Sequence, residues 1–554
     1  MNTDILYELY TAKRNNVEEA VSLPGPSDGA RDLAERYRAL QEEYPPGSLE
    51  SESRVPDELL GRMKEMGLFG LTVPEEYGGL GFSLTDYLYM VSVMAETDMS
   101  LAIIPLAHLS IGIKGILLFG SDEQKQTYLP PAADGSTIYA YALTEPKIGS
   151  DARHIETEAV LSDDGSHYIL NGTKTYITNG GYAGGLTVFA QIPRNDDRAP
   201  EMGAFIVDTS TEGVTVGKDM PKMGLHISST TMIRFKDARV PAGNLLGSPG
   251  DGFKIAMTIL NYGRLGLGAA SAGAIRRSVA DMIDRAVSRK QFGRPISEYE
   301  LIREMIGGAR IKEQQIWGIT AYTAGLLEED PLGNVAAESS HTKLYGTTEA
   351  WNVLYDALQT AGGSGYLATQ PFEKRMRDFR VTTVFEGTSA IHSIYPPLAV
   401  MRDLNKELEG TPRVLQFLKL QRMALLPARI ELPRDPNLDR RSAARVSRSL
   451  RASVKQIRKK IAYGMIRYGK RVSEREFFLR RITGLSLSVY ILISLLILHR
   501  DTEDGGTRKL IKEAMRYTVS RSARYRKLLS DEAATEHSAI RAADAVLEEN
   551  GSRA

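Results

Sequence analysis

The hydrophobic period along this chain changes twice, from 3.6 residues to 2 near residue 138 and back to 3.6 near Gly252. Residues 1–50 are polar and interrupted by Pro and Gly, which predicts an arm with some helix. Pro56 opens a helix where its missing N–H costs nothing; Leu59, Leu60, Met63 and Met66 recur at helical spacing and Gly67 ends it. Helices are predicted over 84–96, over 99–119, which is almost wholly apolar and therefore buried, and over 122–129. Alternation then predicts strands at 138–143, 167–177, 186–192, 204–207 and 230–235, with tight turns at Asp164-Gly165 and Asn171-Gly172. Together they make a small antiparallel barrel or sandwich. Long helical segments at 252–287, 298–327, 334–361 and 387–407 suit an antiparallel four-helix bundle. A Pro-containing break at 410–439 precedes a last helical region reaching about residue 548. Helices, strands, then helices, with no strand–helix alternation, place the chain in the α+β class, mainly α. The expected domains are an arm (1–50), a helical domain (51–136), a β-domain (137–248), a bundle (249–408), a linker (409–439) and an appended helical domain (440–554).

Composition acts mainly by exclusion. Lys plus Arg and Asp plus Glu number 69 each, so no global field favours nucleic acid as a partner. The absence of cysteine excludes disulfides, thiol catalysis and Cys-ligated metal, and the eight His show no ligand spacing, so no metal site is expected. The first thirty residues carry mixed charges and no signal-type apolar run, which predicts a protein of the cytoplasm or an organelle matrix. Locally the charge is uneven: Arg440 to Arg481 holds fifteen Lys or Arg against two Glu, and seventeen uncharged residues, 482–498, follow. That run is short for a membrane span and is interrupted by Gly484, Ser486, Ser488 and Ser494, so a buried helix is expected. The basic stretch reads either as a solvated face or as a peripheral membrane contact through 440–500, with Lys455, Arg458, Lys459 and Lys460 towards anionic lipid.

Candidate chemistry centres on Val384-Phe385-Glu386-Gly387-Thr388-Ser389-Ala390-Ile391. A carboxylate beside apolar Val384 and Phe385 loses hydration, so its pKa rises and it can serve as a base near neutrality. Gly387 permits close approach by a ligand, and Thr388 is a good N-cap for the helix that follows. Taken alone, a Glu-Gly pair is an ordinary turn. Gly363 to Ala368 spells G-x-G-x-x-A, but it follows a helical pattern and not a strand, which argues against a dinucleotide fingerprint. Glu145 reads as a structural carboxylate, and Arg264, one turn from Asn261, reads either as a surface pair or as a ligand contact.

Five motifs together carry a resemblance. They are Ala142 to Asp151, Tyr176 to Gly181, Arg289-Lys290-Gln291-Phe292-Gly293, Gln359 to Gly365 and Phe385-Glu386-Gly387-Thr388. In order and spacing they resemble the acyl-CoA dehydrogenases over roughly residues 55–400. Ala107 to Gly120, Leu260-Asn261-Tyr262-Gly263-Arg264 and the helical domain after 410 are similar to the very-long-chain type. The resemblance implies that family's fold, FAD as cofactor, and α,β-dehydrogenation of a fatty acyl-CoA to the trans-2-enoyl-CoA, a step of fatty acid β-oxidation. It implies that Glu386 removes the α-proton while hydride passes from the β-carbon to flavin N5. Tyr141, Leu143, Thr144, Tyr176, Thr178, Thr388 and Ala390 fall on the cofactor side, with Gly149 and Ser150 at the cofactor and pantetheine. Tyr176 stands where many members have Trp. Arg289, Gln291, Phe292, Gln359, Gly362 and Gly363 match residues that reach the FAD of a neighbouring subunit. Ser150, Asn261, Arg264 and Gly387 fall on the substrate side. A homodimer is implied, because the appended domain covers the surface that shorter relatives use to form tetramers; the implied electron acceptor is an electron-transfer flavoprotein.

Four positions depart from the pattern. Ile148 replaces a usual small residue, Thr369 an acidic or amide one, and Leu106 a Gly near the acyl tunnel, which puts a very long substrate in question. Gly263 stands where some members place the base, leaving Glu386 for that role. Two rival readings share the fold: a flavin acyl-CoA oxidase using O₂, and a non-catalytic assembly or binding protein.

Overall fold

A computed structural model describes residues 5–13, 21–45, 47–194, 199–529 and 534–549; parts of the expected arm (1–4, 14–20 and 46) and of the last helical region (530–533) lie outside the described residues. The chain begins with α1 (Ile5–Tyr10), α2 (Asp28–Glu43), α3 (Asp57–Glu65), α4 (Leu84–Thr97), α5 (Met99–Ala107), α6 (Lys114–Phe119) and α7 (Asp122–Ala133). Strands follow: β1 (Ile138–Ala142), β2 (Glu158–Leu161), β3 (His167–Thr178), β4 (Ala183–Ile192), β5 (Glu201–Asp208), β6 (Val214–Val216), β7 (Thr230–Pro241) and β8 (Leu245–Leu246). Helices resume with α8 (Gly252–Ser288), the small hairpin β9 (Lys290–Gln291) and β10 (Arg294–Pro295), α9 (Glu300–Glu329), α10 (Ala336–Ala361) and α11 (Pro371–Arg380). The remainder is α12 (Ser389–Glu407), α13 (Arg413–Leu425), α14 (Arg440–Tyr468), α15 (Glu476–Asp501), α16 (Gly505–Leu528) and α17 (Ala534–Glu549). Two compact units result. The first is Leu23–Val335 with Thr342–Ser389; the second is Asn2–Ser22, Ala336–His341 and Ala390–Ala554.

In the first unit α2, expected within a loose arm, is a capped amphipathic helix. The Ser27 hydroxyl accepts from the Ala30 N–H, and Ala30, Leu33, Ala34, Tyr37 and Leu40 are buried at helical spacing. The single helix expected over 99–119 is instead broken by a π turn at His108–Gly112. The cause is β1: His108 Nδ1 accepts from the Tyr139 N–H at 2.9 Å, and a Cβ on Gly112 would lie 2.7 Å from the Tyr139 carbonyl oxygen. The sheet runs β6-β7-β3-β2-β4-β5-β8, with β1 also on β4. It is mixed rather than wholly antiparallel, since β1 and β2 each pair with β4 in parallel. The β2–β3 pair intervenes between β1 and β4, a connection long enough to allow that direction. Leu170, Leu186, Val188, Phe205, Ile233 and Phe235 fill its core. α4 crosses α8 closely because α8 offers a glycine: a Cβ on Gly273 would lie 1.9 Å from the Ser92 carbonyl oxygen. α11 lies between two of the expected bundle helices; it starts at Pro371, buries Phe372 and Phe379, and binds its Lys374 to Asp98 and Asp378.

The second unit is all helical among the described residues. α13 lies inside the stretch expected to be a linker. α14 turns Val446, Leu450, Val454, Ile457 and Ile461 inward and keeps Lys455 and Lys459 exposed. Arg458 corrects the lipid-facing set: it is fully buried, and its Nε donates to the Leu9 carbonyl at 2.7 Å. Met99–Phe119 and Glu476–Asp501 are long and apolar enough to cross a membrane, but 83% and 94% of their apolar windows are buried inside the protein.

Candidate active site

The loop that carries Glu386 is shaped before any ligand is considered. A 3-10 turn at Val381–Thr383 ends with the Val384 and Phe385 N–H groups both donating to the Val381 carbonyl. The backbone then enters the left-handed region at Glu386 (φ 54°) and again at Gly387 (φ 97°). Glycine takes that conformation freely; a glutamate does so at a cost of about 1–2 kcal/mol, so its surroundings must hold it there. Thr388 follows, and α12 begins at Ser389.

This reversal turns the side chain inward. Part of the Glu386 residue is exposed, yet its Oε2 is buried. The carboxylate lies against α8: a Cβ on Gly263 would stand 2.6 Å from Oε2 and 2.8 Å from Oε1. Any side chain there would force the carboxylate out of this position. Burial raises the Glu386 pKa to about 7, while Arg264 on α8 and Lys343 on α10 pull it down. The packed helices add to the local shielding expected from sequence, of which Val384, 49% exposed, supplies little. Arg264 and Asn261 are both buried, and the Arg264 Nη1 donates to Asn261 Oδ1 at 3.1 Å, so the surface-pair reading of Arg264 does not hold. Lys343 Nζ donates to the Gly387 carbonyl at 2.6 Å. Tyr141 on β1 and Tyr87 on α4 complete the surround; burial pushes both hydroxyls up, and the Glu386 charge adds to it.

A second group lies along β1 and β3. Lys174 is buried and donates to Glu145 Oε1 at 2.7 Å and to the Leu143 carbonyl at 3.1 Å. Glu145 also accepts from the Glu156 N–H, the Thr157 N–H and the Thr157 hydroxyl, which makes it structural. The Thr175 N–H donates to the Thr144 carbonyl. Leu143 and Thr144 are thus fixed from behind. Register slips between Lys174 and Ile177, and within that bulge Tyr176 (φ 57°) points outward, 67% exposed, between buried neighbours. Thr178 pairs with Thr230 just beyond. Gly149 and Ser150 are exposed after the Glu145–Ile148 bridge, and a Cβ on Gly149 would meet nothing within 4 Å.

A third group sits where α8 and α10 end. The β9–β10 hairpin carries Arg289, Gln291 and Phe292, the last in a left-handed conformation (φ 51°) and 94% exposed. Arg285 donates to the Ala361 carbonyl, drawing the end of α8 towards Gln359, Gly362 and Gly363, all exposed. Ala390 is exposed on α12. Sequence reading missed Lys343, Lys174 and Tyr87. Neither lysine carried a local signal: Lys343 stands among Ser339, Ser340 and Thr347, polar residues whose burial only the packing shows, and Lys174 shares its strand face with exposed Tyr176.

Comparison with known proteins places this arrangement. Models of the acyl-CoA dehydrogenase N-terminal, middle and C-terminal domains match residues 27–136, 140–238 and 250–394. The mitochondrial very long-chain specific acyl-CoA dehydrogenase of Bos taurus is 35% identical over 460 residues, 80% of this chain and 70% of that protein. The chain belongs to the acyl-CoA dehydrogenase family. Another member, an acyl-CoA dehydrogenase of Bacillus subtilis, is 37% identical over 364 residues, 66% of this chain and 94% of that one. The crystal structure of an acyl-CoA dehydrogenase complexed with FAD from Bacillus anthracis superposes with a TM-score of 0.80 at 27% identity. It covers 96% of this chain and 94% of its own, so the fold likeness continues beyond the last family-domain match.

Proposed function

We propose that the protein is an FAD-dependent acyl-CoA dehydrogenase that converts a fatty acyl-CoA to its trans-2-enoyl-CoA, with Glu386 as the α-proton base. The observation that carries this reading is a buried carboxylate, raised to about pH 7 and held in a strained loop between Gly263 and two cations. FAD fits the remaining residues: an outward aromatic ring at Tyr176, pinned carbonyls at Leu143 and Thr144, and open space at Gly149, Gly362 and Gly363. When bound, FAD supplies the hydride acceptor. Glu386, ionised, takes the α-proton onto its buried carboxylate. Its own N–H, in the turn that continues into Gly387, would donate to the thioester oxygen as negative charge grows there. Arg264 and Lys343 keep a fraction of Glu386 ionised at neutral pH despite burial. Leu106, buried, faces Gly266 of α8 and bears on the length of acyl chain admitted.

Anaerobic mixing with acyl-CoAs of rising chain length should bleach the flavin, with a preferred length. Because the base must be deprotonated, the bleaching rate should climb as pH rises through about 7 and then level off. No bleaching with any acyl-CoA would leave the binding-protein alternative standing, and peroxide formed in air would identify the oxidase.

The partners we infer are an electron-transfer flavoprotein, a second copy of the chain and an anionic membrane surface. Exposed Phe292, Val287 and Leu301 support the second copy. Exposed Val414, Phe417, Leu418 and Leu425 of α13, with the basic α14, support the membrane surface. Sedimentation with and without anionic vesicles reads both. The expected result is a mass of two chains alone and salt-sensitive co-flotation with vesicles; a single-chain mass or no flotation counts against the respective partner.

A further inference from the structure

We infer that Lys343 is a positioning residue for the reaction: its ammonium clamps the Gly387 carbonyl and so fixes the turn that aims Glu386 at the substrate. This rests on Glu386 being the base. Lys343 lies forty-three residues before Glu386 on α10, and its side chain is fully buried. An ammonium taken out of water is expensive unless it is paired and hydrogen-bonded. Here it spends its charge on a loop carbonyl, 2.6 Å away, immediately after the strained glutamate.

The anchored peptide matters because two successive residues, Glu386 and Gly387, are left-handed. A loop in that conformation drifts unless something outside it bonds to it, and a small misplacement of a base costs rate steeply. Four groups from other elements face the Glu386 carboxylate: Arg264 from α8, Lys343 from α10, Tyr141 from β1 and Tyr87 from α4. Of these, Lys343 is also bonded to the loop backbone, so it both holds the turn and places a positive charge beside the base. Removing that charge favours the protonated carboxyl.

The test uses the FAD-loaded full chain. Lys343→Met should still bind FAD and keep KM within about threefold, while the anaerobic bleaching rate falls at least about tenfold. Infrared titration of the protonated-carboxyl band that Glu386→Gln deletes needs no turnover; in Lys343→Met it should move up by on the order of one pH unit. The chain has no cysteine, so Lys343→Cys creates its sole thiol. Aminoethylation of that thiol restores an ammonium at nearly the original reach, and should return both rate and titration to within about threefold of the parent.

Unchanged rate and titration in Lys343→Met would overturn the inference. So would a loss of activity accompanied by loss of FAD that aminoethylation does not reverse, since that marks a purely structural lysine. If Glu386→Gln is inert while Lys343→Met behaves as the parent, this inference alone falls. If Glu386→Gln bleaches normally, the reading of the base falls and this inference falls with it.

Discussion

Glu386→Gln should give a yellow protein that still binds acyl-CoA but reduces its flavin about 10²- to 10⁴-fold more slowly, the range for a removed general base. The amide has nearly the same shape, so the contact with Gly263 and the left-handed turn survive; what is lost is the ability to take a proton. A second measurement separates this from damage. Burial raises the Glu386 pKa from its ordinary value to about 7, so the folded state holds a proton that the unfolded chain has released. Stability therefore falls as pH rises from about 4.5 through 7, and above that the ionised carboxylate is a standing cost. The neutral amide does not carry it. At pH 8 the variant should melt no lower than the parent; normal bleaching would mean the base lies elsewhere.

Lys174→Met should be the most damaging change in the β-domain, at about 3–5 kcal/mol, because it leaves the buried Glu145 carboxylate without its cation. That corresponds to a fall in Tm of about 5–10 °C, read by calorimetry. The functional effect follows from the second bond of the same ammonium, to the Leu143 carbonyl. With it gone, the Leu143–Thr144 segment loses support, and the protein should retain FAD more weakly on gel filtration. Losing both lysine and carboxylate, in Lys174→Met with Glu145→Gln, should be milder than Lys174→Met alone, since no buried charge is stranded. A single variant as stable as the parent would show that the pair is not needed.

How much of this was legible from residues alone depends on the range of the cause. Period-2 and period-3.6 patterns are local, so the order of helices, strands and helices, the β-core and the buried α15 could be read directly. The motif around Glu386 was likewise visible, as one of five that together resemble a family; taken alone its Glu-Gly pair reads as an ordinary turn. The break between α5 and α6 was not, since it depends on Tyr139 arriving beside His108 from thirty-one residues away. Arg458 looked like one more cation in a basic run; only the packing of α1 against α14 in the second unit shows that it points inward.

By itself, then, the sequence determined the elements and their class, since these depend on composition and spacing within a few turns of chain; Glu386 as the proposed base came from the resemblance that its motif shares with four others. The tertiary structure decided the surroundings on which that proposal stands: helices α8 and α10, distant in sequence, pack against the carboxylate, leave it room at Gly263 and set two cations beside it. Desolvation and charge act through space over a few ångströms, and contacts at that range are set by the fold.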